Sequence, residues 1–215
     1  GPEVAVASTK AFLSQMTAFA LLTLFLGRER GMTKAEGIEI LKGLESLPVI
    51  LKQVLATSDH IAKVAKKYAH YRDFMYIGRT FHSPIAYEGS LKLKEVTYIH
   101  AEAYAGGELK HGPIAMLDKD FPVFAIAPQD NVYEKMMSNI EEVKARHAPV
   151  IALATDGDLQ ISAIANDVIY IPKVHPLLQP IVSVLPLQLF AYHVGVAKGL
   201  NVDRPRNLAK SVTVE

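Results

Sequence analysis

The chain predicts an α/β domain: a parallel sheet with helices on both faces, preceded by a helical arm and closed by a tail. Three observations carry this. Four strand-sized apolar runs follow Asp73, at residues 74–77, 123–127, 150–154 and 168–171. Helix-like stretches at about 84–98, 131–146 and 180–198 separate or follow them. The runs do not alternate with polar residues, as strands buried on both faces do not. Half of the 215 residues are hydrophobic, and a chain of this size buries roughly 70% of its unfolded surface.

In chain order, Ser8 and Thr9 offer a cap to a first helix. Its apolar positions run through Phe12, Met16, Phe19, Ala20 and Leu24, and Arg28, Arg30 and Gly31 end it. This helix is apolar around much of its circumference and calls for a partner larger than its three helical neighbours. Shorter helices are expected at 34–44, 48–57 and 59–70, with breaks at Leu47-Pro48 and Ser58-Asp59. The run from Phe74 to Ile77 ends in Gly78-Arg79, and Ala105-Gly106-Gly107 reads as a loop. The segment 131–146 is a charged amphipathic helix with a solvated face. Ligands of parallel sheets gather outside the carboxyl ends of the strands. Gly78-Arg79-Thr80 and the loop after Tyr98 are expected there.

Composition narrows the function. With 23 basic and 22 acidic residues the net charge is +1, and no basic stripe argues for nucleic acid. The absence of cysteine removes disulfides, zinc–cysteine sites and thiol nucleophiles, and fits a reducing, cytoplasmic setting. The longest apolar run, 19–26 with Thr23 inside, falls short of the ~20 residues of a membrane span. No signal peptide precedes it. The expectation is a soluble protein.

The chemistry-bearing residues cluster in two places. Glu88, Lys92 and Glu95 stand at i, i+4 and i+7, on one helical face. Sixteen residues after Glu95, His111 sits in Glu108-Leu109-Lys110-His111-Gly112-Pro113. Lysine, carboxylate and imidazole are the groups needed to open a sugar ring, hold a carbonyl and move a proton between neighbouring carbons. Spacing alone leaves a plainer reading open: a surface ion pair worth about 0.3–0.5 kcal/mol and a solvated loop histidine. His100-Ala101-Glu102 matches one piece of the zinc deaminase signature, whose cysteines this chain lacks. His100 is therefore read as structural, and His175 and His193 as core or surface residues.

The string Glu-Gly-Ser-Leu-Lys-Leu-Lys-Glu-Val-Thr-Tyr-Ile-His-Ala-Glu-Ala-Tyr at 88–104, with Gly-Glu-Leu-Lys-His-Gly-Pro at 107–113, resembles the isomerase domain of the glutamine–fructose-6-phosphate aminotransferases. The opening Gly-Pro-Glu-Val-Ala-Val-Ala-Ser-Thr-Lys-Ala-Phe and the closing Asp-Arg-Pro-Arg-Asn-Leu-Ala-Lys-Ser-Val-Thr-Val-Glu resemble the same enzymes. Gly1-Pro2 reads either as a tag remnant or as native, since those enzymes carry Gly-Pro-Glu there. The resemblance implies a flavodoxin-like sugar isomerase (SIS) fold, the second of two tandem SIS domains. It divides the chain into a helical linker region at 1–71, the second SIS domain at 72–199 and an active-site tail at 200–215. The glutaminase domain and the first SIS domain, whose Ser/Thr loops hold the sugar phosphate, are not in this sequence, and no Ser-x-Ser cradle replaces them.

By the same resemblance, Lys210 forms a Schiff base with open-chain fructose 6-phosphate, and His111 assists ring opening from a neighbouring subunit. Glu95 moves the proton between C1 and C2, with Lys92 assisting. Val6, Ser8 and Ala209 line the sugar. The implied product is glucosamine 6-phosphate, for UDP-N-acetylglucosamine synthesis, and a homodimer is implied. No metal or organic cofactor is. A phosphosugar-binding SIS module without catalysis, or a phosphosugar aldose–ketose isomerase without amination, are the other functions weighed.

Overall fold

The structure is a computed structural model and describes residues 3–210. The five strands are β1 (Asp73–Gly78), β2 (His100–Ala105), β3 (Val123–Ala127), β4 (Val150–Thr155) and β5 (Asp167–Ile171). They form one parallel sheet in the order β2-β1-β3-β4-β5. This is the flavodoxin-like strand order, with its switch point between β1 and β3.

Side-chain alternation sorts the core into two layers. Phe74, Tyr76, Phe124, Ile126, Ile151, Leu153, Ile169 and Ile171 face one side. There they meet α3 (Ser58–Tyr68), α4 (His82–Thr97) and α7 (Gln179–Ala197). Met75, Ile77, Val123, Ala125, Ala127, Val150, Ala152 and Ala154 face the other side, beneath α5 (Tyr133–Lys144) and the short α6 (Leu159–Ser162). The apolarity of α7 is spent inside this first layer, where Ile181, Val182, Val184, Leu187, Phe190 and Val194 are buried.

The N-terminal helices differ in part from expectation. α1 (Lys10–Glu29) has the expected bounds, although Thr9 makes no side-chain cap. It has no buried residue. Both α1 and α7 are long and apolar enough, by length and composition, to cross a membrane, although neither holds an unbroken apolar run of that length. α2 runs unbroken over Lys34–Ala56, straight through Pro48. The expected break at Leu47-Pro48 is therefore wrong. Ile40, Leu47 and Val54 are buried along one stripe that continues past the proline, so packing outweighs the lost N–H. A capping box at Thr33 and Glu36 starts the helix.

The segment after Tyr98 also needs correction. It is strand β2, not a loop, and it begins at the amino end of the sheet rather than at the carboxyl end expected. Asp73 is in register with His100, so α4 runs back to the amino ends of the strands before β2 begins. The Gly106–His111 segment that follows β2 is a 3-10 helix rather than an open loop.

Candidate functional site

α4 forms because its apolar residues Ile85, Ala86, Leu93 and Val96 bury one stripe against the sheet and α7. The adjoining face carries Glu88, Lys92 and Glu95. Lys92 is only 4% exposed. Its Nζ donates to Glu95 Oε2 at 2.5 Å and lies 3.6 Å from Glu88 Oε1. This is a buried cluster, not a surface ion pair. Burial pushes the Glu88 carboxyl above its usual range, against the pull of Lys92 and with a further push from Glu95.

Both ends of the described chain reach this face. The Val6 amide donates to the Asp203 carbonyl at 3.0 Å, joining the N-terminal segment to the tail. Ala5, Ala7, Thr9, Lys92, Gln188 and Asp203 line a common cavity of about 170 Å³. Gln188 Nε2 donates to the Thr9 carbonyl at 3.4 Å. Arg206 stacks its guanidinium 4.1 Å over the Tyr98 ring and donates its amide to the Tyr98 hydroxyl at 2.7 Å. Tyr98 caps α4 with φ +61°, so the tail is fastened to the end of the helix that bears the cluster. Lys210 donates to the Glu3 carbonyl at 2.5 Å. Ser8 and Val6 are half-buried, and Ala209 is exposed. Residues 211–215 of the expected tail lie outside the described residues.

His111 is not brought to this cluster. It is exposed at the end of the 3-10 segment, beyond the carboxyl end of β2, whereas Glu95 lies near the amino ends. Two larger hollows lie nearby. One of about 600 Å³ is walled by apolar residues of α1 and α4, with Glu88 on its edge. The other, of about 520 Å³, lies at the carboxyl ends of β3 and β5, between His82, Asp130, Lys173 and Gln179. His100 bridges Asp73 at 3.2 Å and Glu102 at 3.4 Å on adjacent strands. Among the described residues no group of three His, Asp or Glu side chains is placed to hold a metal. Gln188 and Tyr98 carried no sequence signal: each contact joins segments more than a hundred residues apart.

Comparison with known proteins gives the family of the fold. The SIS domain family model matches residues 67–198. Glutamine–fructose-6-phosphate aminotransferase [isomerizing] of Thermus thermophilus is 54% identical over 216 residues, covering 100% of this chain and 36% of that protein. The Bacteroides thetaiotaomicron protein of the same name is 50% identical, over 100% and 35%. The chain thus spans about a third of the length of these curated relatives. Among solved structures, the C-terminal domain of glucosamine-fructose-6-phosphate aminotransferase from Francisella tularensis superposes with a TM-score of 0.89 at 36% identity, over 95% of this chain and 58% of that one. Glucosamine-6-phosphate deaminase from Thermotoga maritima shares the fold alone, with a TM-score of 0.62 at 18% identity, over 100% and 60%. On the family match across 67–198, the chain belongs to the SIS domain family.

Proposed function

We propose that this chain is the C-terminal isomerase portion of a glutamine–fructose-6-phosphate aminotransferase that makes glucosamine 6-phosphate. The observation that carries the reading is the buried Glu88–Lys92–Glu95 cluster beside a tail tied to the N-terminal segment. Identity of 54% along the whole chain supports it. In this reading residues 1–71 link two SIS domains, 72–199 form the second, and 200–215 bring the tail to the sugar. The cytoplasm is the setting, and a homodimer the working form. The first SIS domain and the glutaminase, on the same polypeptide, supply the phosphate grip and the ammonia.

The chemistry then divides among few groups. The Lys210 amine adds to the C2 carbonyl of open-chain fructose 6-phosphate with loss of water, and ammonia then displaces it from C2, leaving the sugar imine and the free lysine amine. Glu95 takes a proton from C1 and returns one to C2. Lys92, held between two carboxylates, assists at a sugar hydroxyl. His111 opens the ring from the partner subunit. Val6, Ser8 and Ala209 line the sugar. No metal or organic cofactor enters this scheme.

Borohydride reduction of the complete polypeptide with fructose 6-phosphate tests it. An adduct should map to Lys210, and Lys210→Arg should abolish it because a guanidinium forms no imine. An adduct on Lys92 would reverse the two lysines' roles.

A further inference from the structure

The 3-10 segment Gly106–His111 contains two glycines and is followed by Gly112 at φ +146°. Its own sequence does little to fix its path. Side chains from elsewhere fix it. Arg79, just past β1, donates from Nε to Asn139 Oδ1 at 2.9 Å. Asn139, on α5 and 4% exposed, donates in turn to Glu142 Oε2 at 3.3 Å. Glu142 Oε1 receives Lys110 Nζ at 2.7 Å.

Asn139 also packs tightly on the backbone of the segment. A Cβ at Gly106 would stand 2.5 Å from Asn139 Oδ1, and one at Gly107 would stand 3.6 Å from Arg79 Nη2. Leu109 is fully buried beneath. Positions 106, 109 and 110 are thus each held, and the next residue, His111, is left exposed.

We propose that Asn139 is a positioning residue for His111, acting through Arg79, Glu142 and Lys110 to fix how the imidazole is presented to the sugar. The inference rests on the catalytic reading of His111 given above. Both ends of the Asn139 amide are used: the oxygen for Arg79, the nitrogen for Glu142. A 1 Å displacement of a catalytic group can cost about a hundredfold in rate. Holding the residue before the imidazole is therefore a direct lever on turnover.

A double-mutant cycle in the complete polypeptide separates this role from a merely structural one. Asn139→Ala and the milder Glu142→Gln are each made alone and with His111→Ala, and kcat, KM and the thermal midpoint are measured. Each should lower kcat about tenfold with little change in KM. In the His111→Ala background each should add less than about twofold. Equal fold-losses in both backgrounds overturn the positioning role. Full activity of His111→Ala by itself overturns instead the reading beneath it, and is seen without the other variants. If Asn139→Ala does not fold, Glu142→Gln completes the same cycle, because it keeps the side-chain volume at a partly exposed site.

Discussion

A lysine ammonium as buried as that of Lys92 persists only if its charge is answered, and Glu95 at 2.5 Å and Glu88 at 3.6 Å answer it. Such clusters add little net stability, yet removing one partner costs about 3–5 kcal/mol, because the other charge stays buried. His193 offers a pH test at the same scale. Its Nε2 lies 2.8 Å from Ser58 Oγ, and burial holds the imidazole below its usual range, more than Asp59 raises it. The unfolded chain therefore takes up this proton at a higher pH than the folded one. Stability is intact above about pH 6.5 and falls as the pH drops below it. His193→Gln should flatten that acid limb in urea titrations at several pH values, and an unchanged slope would assign the limb to other groups. Lys92 and Glu95 were legible from their i, i+4, i+7 spacing. The burial of Lys92 was not, because Ala5, Ala7, Gln188 and Asp203, which line the cavity with it, approach only in the folded chain.

Gly89 shows how closely the elements pack. A Cβ there would meet Leu187 Cδ2 at 2.4 Å and Tyr76 Cε1 at 2.9 Å, so α4 touches both α7 and β1 at this point. Gly89→Ala should destabilise the fold by about 1–3 kcal/mol, read as a lower denaturation midpoint. An unchanged midpoint would mean that α7 can give way. Elements with strong periodicity or branched runs were readable, as α4, α5, α7 and four strands show. β2 was not. Its sequence, His-Ala-Glu-Ala-Tyr-Ala, lacks branched residues, and it forms because β1 presents an open edge in register. The Pro48 error has the opposite origin: the local breaker is real, but Ile40, Leu47 and Val54 pack as one stripe.

At the scale of the molecule, strand order cannot be read from apolar runs, and the flavodoxin-like arrangement came from resemblance alone. The two core layers give the described chain a buried interior of its own. Its α1 face, with Phe19 and Phe25 each 64% exposed, stays uncovered. The isolated chain should fold and self-associate without turning over. It should bind fructose 6-phosphate with a dissociation constant in the millimolar range or weaker, equivalent to only ~4 kcal/mol. Calorimetric titration and sedimentation check this, and micromolar binding would put the phosphate grip inside these residues. The meeting of Glu3 with Lys210, 207 positions apart, has a temporal meaning. Closing a loop of that length costs about 5 kcal/mol in chain entropy, recovered only once the sheet already holds the two segments near each other. The ribosome, adding roughly 5–20 residues per second, delivers every strand before the tail. A nascent chain therefore completes its sheet before the segment at 203–210 can meet the N-terminal segment at Glu3 and Val6.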